Sequence, residues 1–174
     1  MNEKEKNFIS AVIYVHNAEE KIESFFKTIQ ETLEEQFEHV EIICVNDGSE
    51  DNSADVMKRI GKNVKASVSI LNMSYFHGIE MAMNAGVDLA IGDFVFEFDS
   101  VDLDFSPSEI MNVYYRSMGG YDIVSACPDK KETFSSRMFY RVYNHFAGLP
   151  YKMSTERFRI ISRRAINRIK SMNR

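Results

Sequence analysis

Apolar residues along this chain fall into two alternating rhythms. Short, nearly continuous apolar runs read as strands: Phe8–Val15 (FISAVIYV), Val40–Val45 (VEIICV), Val64–Leu71, Asp93–Phe98 (DFVFEF), Tyr121–Ala126 (YDIVSA) and Phe158–Ser162. Between them apolar positions recur at steps of three and four. Ile22, Phe25, Phe26, Ile29, Leu33 and Phe37 form one face of an amphipathic helix. Asn17 stands where it would cap that helix, with Glu20 closing a capping box. Further helices are expected over 52–60, over Gly78–Ala90, from a Ser106 cap with Pro107 and Glu109 to Met118, over Ser135–Phe146, and over Arg163–Met172.

Strands that alternate with helices imply βαβ crossovers and a mainly parallel sheet. The expected fold class is therefore α/β, a single Rossmann-like domain with a doubly wound sheet. Such sheets bind ligands in the crevice at the carboxyl ends of their strands. That rule singles out Val15-His16-Asn17, Asn46-Asp47-Gly48-Ser49 and Asp99-Ser100-Val101-Asp102. The 174 residues leave room for one such domain, and no internal repeat or low-complexity linker divides them.

Composition adds three constraints. No apolar run reaches 18 residues, so no membrane-crossing helix is expected, and the charged N-terminus lacks a signal-peptide core. Cys44 and Cys127 lie far apart in apolar runs without metal spacing, which predicts buried free thiols and a cytoplasmic protein. Residues 1–134 hold 11 basic and 25 acidic side chains, a balance of −14. Residues 135–174 hold 10 basic side chains and one carboxylate, Glu156, a balance of +9 within the net −5. Either an anionic partner meets that basic segment, or the segment folds back on the acidic part.

The candidate chemistry is carboxylate chemistry. No GxGxxG follows the first strand and no Walker A lysine is present, which argues against the dinucleotide and P-loop sites. Asp47 could accept hydrogen bonds from a nucleobase ring N–H or a ribose hydroxyl, or simply make a turn with Gly48. Asp99 and Asp102, directly after a buried strand, suit Mg²⁺ or Mn²⁺ shared with a substrate diphosphate. Glu97 is at strand parity with Asp99 and either shares its face or lies exposed. His16, His39, His77 and His145 show no paired ligand spacing; His77 alone sits close to the expected site.

Taken together, ISAVIYVHNAEEKI, VEIICVNDGSEDNS, AMNAG and GDFVFEFDSVD resemble the family 2 glycosyltransferases with the GT-A fold, in order and in spacing. The later SSRMFYRVYNHFAGLP and FRIISRRA are similar to the branch that holds polyprenyl-phosphate glycosyltransferases. The resemblance implies a donor-binding core over 8–127 and a basic acceptor-side segment over 128–174, truncated where the family continues. It places Val15, Asn17, Glu19, Asn46, Asp47, His77 and Gly78 around the nucleotide, and Asp99 at the first position of the family's DxD metal motif. Val101 occupies the second position, so Asp102 would substitute through a longer loop. Tyr75-Phe76-His77-Gly78 stands where the family often has RNxG.

The same resemblance implies transfer of a sugar from a nucleotide-diphosphate sugar, assisted by Mg²⁺ or Mn²⁺. Arg159 would donate to the departing diphosphate. A sugar hydroxyl acceptor would require a general base, for which Glu156 is the candidate; a polyprenyl phosphate would not. A bacterial role in cell-wall or polysaccharide synthesis, without nucleic acid and with peripheral contact at the inner membrane face, is the matching expectation. Two alternatives stay open. One is a nucleotide-sugar-binding domain impaired in turnover by the Val101 change; the other is a receiver-like signalling module, for which the required late lysine is missing.

Overall fold

The computed structural model describes residues 3–126 and 158–172. Its strands are β1 (Glu5–Val15), β2 (Phe37–Asn46), β3 (Ser67–Asn72), β4 (Phe94–Phe98), β5 (Ile123–Ala126) and β6 (Phe158–Ser162). Its helices are α1 (Ile22–Gln36), α2 (Ser53–Ile60), α3 (Ile79–Leu89), α4 (Ser108–Met118) and α5 (Arg163–Met172). The sheet order is β3-β2-β1-β4-β6-β5. β1 pairs in parallel with β2 and β4, and β2 with β3, whereas β6 runs antiparallel between β4 and β5. The expected mainly parallel sheet is present, and helices cover both of its faces.

Strand alternation divides the core. Ile9, Ala11, Ile13 and Val15 of β1, Ile42 and Cys44 of β2, and Phe96 and Phe98 of β4 pack against α1 and α4. Val12, Ile43, Val45 and Val95 face the other way, against Ala82, Met83 and Val87 of α3 and Ala165 and Ile166 of α5. α1 buries Phe25, Phe26, Ile29 and Leu33, each worth about 1.5–3 kcal/mol of transfer free energy. Gly86 lets α3 approach the sheet: a Cβ there would lie 2.4 Å from Val12 Cγ1 and 2.7 Å from Val45 Cγ2. Among the described residues no helix is long and apolar enough to cross a membrane.

Several local expectations are corrected. Asn17 does not cap α1: its φ is +48°, the helix starts at Ile22, and the flanking Lys21 makes no side-chain cap bond. The Asn17 side chain instead accepts from Glu50 N at 2.8 Å. Phe37 opens β2 with extended geometry and is buried there, so the helical period ends one residue short of it. A 3-10 turn over Gly61–Asn63 delays β3 to Ser67. α4 begins at Ser108 without a side-chain cap; the Ser106 hydroxyl lies 2.8 Å from that of Ser108, and its carbonyl accepts from Glu109 N. The 135–146 helix lies outside the described residues.

Candidate active site

Parallel pairing brings the selected strand ends together. Val15 is in register with Asn46, and Ile13 with Phe98. Asn17, Asp47 and Asp99 therefore leave the sheet at the same edge, as the crevice rule requires.

Asp47 organises that edge while itself fully buried. Its Oδ1 accepts from His77 N at 2.8 Å, and its Oδ2 from Gly78 N at 2.9 Å and from the Tyr14 hydroxyl at 3.2 Å. The carboxylate thus holds the 75–78 loop. Burial, with the Asp47 contact second, pushes the Tyr14 hydroxyl up to about 12. Gly48, at φ +62°, is required twice over. A Cβ there would meet Phe76 N at 2.6 Å, and the positive φ itself disfavours a side chain. Gly78 meets the second demand with φ +88°.

The loop after β1 is fastened to the loop after β2. Asn17 N donates to Ser49 Oγ at 3.0 Å, and Ala18 N to Ser53 Oγ at 2.8 Å. Glu19 N donates to Asp51 Oδ2, and Asn52 N to Glu19 Oε2. Asn46 spans its neighbours, donating to Asn72 Oδ1 and accepting from Ser49 N. His16 Nδ1 lies 2.7 Å from the Asp47 carbonyl. The His16 ring meets Phe76 at 4.6 Å, and Tyr75 stacks on His77 at 3.9 Å. Tyr75 and Phe76 are exposed and line, with His16, Asn17 and Asn46, a cleft over these two loops.

Asp99 is exposed at the end of β4 and lines two clefts. One, of about 440 Å³, runs past Tyr14, His16 and Lys21 to Asp102. The other, of about 420 Å³, includes Asn84 and Met83 of α3 with Glu97 and Arg159. Asp102 accepts from Lys21 Nζ at 2.8 Å and from Ser100 Oγ at 2.9 Å, and the Asp102 contact raises the Lys21 pKa. Glu97 bonds Arg159 Nε across the β4–β6 ladder. Among the described residues no group of three or more His, Cys, Asp or Glu is arranged to hold an ion. Mg²⁺ and Mn²⁺ need only one or two carboxylates when substrate phosphates complete the shell, so Asp99 with Asp102 fits a shared ion, not a self-contained one.

Of the residues selected from the sequence, Asn17, Glu19, Asn46, Asp47, His77, Gly78, Asp99, Asp102 and Arg159 gather at this edge. Val15 is fully buried and contributes backbone: its carbonyl accepts from Asp47 N. Glu156 and the basic run through Arg137 and Arg141 lie outside the described residues. Tyr14, Lys21, Ser49, Asp51 and Ser53 were missed. Tyr14 had a signal in strand parity with Val12; Lys21 pairs with Asp102, 81 positions away, and Ser49, Asp51 and Ser53 accept from backbone N–H groups, which leave no pattern in sequence.

Comparisons with known proteins agree on the family. Residues 10–171 match Glycosyl transferase family 2. An uncharacterized glycosyltransferase of Synechocystis sp. is 32% identical over 170 residues, covering 94% of this chain and 53% of that protein. A prophage bactoprenol glucosyl transferase homolog of Escherichia coli is 31% identical over 170 residues, covering 94% and 55%. The chain thus spans about half the length of the curated relatives it matches. A mannosyltransferase of Pyrobaculum calidifontis, solved with GDP-Man and Mn²⁺, superposes with a TM-score of 0.70 at 16% identity, covering 95% of this chain and 47% of that one. That likeness is one of fold, the expected GT-A arrangement.

Proposed function

The chain belongs to glycosyl transferase family 2, and on that premise we propose that it moves a sugar from a nucleotide-diphosphate sugar to an acceptor, first a polyprenyl phosphate and second a growing surface polysaccharide. The observation that carries the reading is Asp99, a carboxylate at the end of β4 that lines both clefts. Its neighbour on one side is the nucleoside-side pair of fastened loops, and on the other Arg159. Asp99 with Asp102 would hold Mg²⁺ or Mn²⁺, and a bound ion supplies charge neutralisation to a leaving diphosphate. Asp47 shapes the nucleoside side through the 75–78 loop. Arg159 donates to the diphosphate, where planar guanidinium geometry suits phosphate oxygens.

The acceptor follows from chemistry and from the bactoprenol named for the Escherichia coli relative. A phosphate oxygen is already anionic and attacks without a base, whereas a sugar hydroxyl would need one, with Glu156 the candidate. The +9 balance of residues 135–174 supports an anionic acceptor and peripheral contact with an anionic membrane at its cytoplasmic face.

A thermal-shift series with UDP-, GDP- and TDP-sugars, with and without Mn²⁺, tests the donor reading. Ligand at 100 times its Kd stabilises by about 2.7 kcal/mol, or roughly 5–10 °C for a domain of this size. Asp99→Ala should remove the Mn²⁺-dependent part. Silence from all three nucleotides would sink the proposal. One observation favours a second reading, a binding domain without turnover: Asp102 is engaged by Lys21 and Ser100. Donor binding without nucleotide release, with acceptor present, would select it.

A further inference from the structure

We infer that Glu97 is a positioning residue that aims the Arg159 guanidinium into the Asp99 cleft, an inference that rests on the donor reading above. The placement begins with Phe158. It is buried among Phe96, Phe98 and Phe105, with ring centroids at 6.3, 5.3 and 4.6 Å. This aromatic anchor sets the register Phe98↔Phe158 and Glu97↔Arg159. Alternation then turns Arg159 to the opposite face, towards α3 and the cleft, and a one-residue slip would bury it in the aromatic cluster instead.

Glu97 is the unusual partner. Its side chain is 7% exposed, that of Arg159 42%. The neighbouring inward residues of that face, Val95 and Ile161, are apolar and buried. An apolar residue at 97 would serve stability as well, because buried ion pairs seldom outperform well-packed hydrophobic replacements. Fold stability therefore leaves the carboxylate unexplained, whereas its location explains it. It meets Arg159 at Nε, one edge of a rigid planar fork, and so fixes the plane in which the guanidinium lies. Both residues line the cleft that Asp99 lines. A donor held in advance stabilises charge developing on a departing phosphate without reorganising during the step.

The test is a double-mutant cycle on the full chain. It uses whichever nucleotide sugar gives the thermal shift, with Mn²⁺, and reads nucleotide release. Glu97→Gln should lower kcat about tenfold and Arg159→Met about a hundredfold, with donor KM changing less than kcat in both. In the Arg159→Met background, Glu97→Gln should add less than about twofold, because its effect passes through the missing arginine. A calorimetric titration of Mn²⁺ with inorganic pyrophosphate provides a readout apart from turnover, and Glu97→Gln should weaken it only when Arg159 is present. Glu97→Met/Arg159→Met, which replaces the pair by apolar groups, stands in if Glu97→Gln does not fold, and should match Arg159→Met in kcat. An active wild type with an unaffected Glu97→Gln, or losses that multiply in the double variant, overturns the inference. A wild type that neither turns over donor nor binds pyrophosphate overturns the donor reading, and this inference falls with it.

Discussion

Replacing Asp47 by asparagine separates an anchoring carboxylate from a ligand-binding one. The native side chain is fully buried and accepts from two backbone N–H groups, at 2.8 and 2.9 Å, and from the Tyr14 hydroxyl at 3.2 Å. Asparagine keeps one acceptor oxygen and turns the other into a donor. Whichever way the amide sits, either His77 N or Gly78 N then faces an N–H₂ group. Losing a hydrogen bond to a charged acceptor and stranding a buried N–H each cost about 1–3 kcal/mol. Tyr14 can rotate to accept from the amide and recover roughly 1 kcal/mol. The net loss is about 1–5 kcal/mol, a Tm lower by roughly 2–20 °C for a domain of this size. Urea unfolding without ligand, followed by far-ultraviolet circular dichroism, measures it, and hydrogen exchange at 75–78 should rise in parallel. A loss below about 1 kcal/mol with unchanged exchange would refute the anchoring argument. Donor binding lost at full stability would return Asp47 to direct contact with the nucleoside.

Gly48→Ala combines a strained φ of +62° with a Cβ 2.6 Å from Phe76 N; it should destabilise by about 1–3 kcal/mol and weaken nucleotide binding, read by urea unfolding and thermal shift. Lys21→Ala releases Asp102 from an exposed ion pair, so urea unfolding should show little change in stability, while the Mn²⁺-dependent shift should grow; an unchanged Mn²⁺ response would separate Asp102 from the metal. Tyr14 gives a pH signature: its folded pKa is raised from 10.0 to about 12, so its neutral form stabilises the fold below pH 10 and that contribution fades as pH climbs towards 12. Unfolding of wild type and Tyr14→Phe, compared across that range, should show the difference between them shrinking; a constant difference would exclude the linkage.

The fold was legible where one residue's neighbours are local in sequence. The period of α1 and the apolar runs of β1, β2 and β4 report burial directly, because every third or fourth residue of the helix meets the core and both faces of the central strands do. Errors fall where a distant segment competes for a local group. Asn17 carries the chemistry of a helix cap, yet Glu50 N, 33 positions away, takes its carbonyl oxygen. Ser106 likewise makes no cap bond to the α4 backbone. For Asn17, propensity named the right residue type for a backbone contact and tertiary structure chose the partner; the Ser106 hydroxyl pairs locally, with that of Ser108.

The site divides along the same line. The position of Asp99 was readable because it follows the apolar run of β4, and the crevice rule says where such a strand ends. The work of Asp47 was not readable, since its partners are the backbone amides of His77 and Gly78, and an amide has the same identity at every position. Arg159 marks the boundary. Its residue type suited a phosphate, but the direction of β6 decides where it goes. In a parallel β6, Arg159, the second residue of the strand, would lie at the end of the sheet away from the crevice; the antiparallel strand starts at the crevice, with Phe158 beside Phe98, and so places Arg159 there, one residue after the aromatic anchor and directly opposite Glu97. Glu97 acquires its meaning only from that pairing. A buried carboxylate on β4 is, by itself, a cost to the fold; placed across from Arg159 and on the face of Asp99, it becomes the group that determines how the cleft's cation is presented.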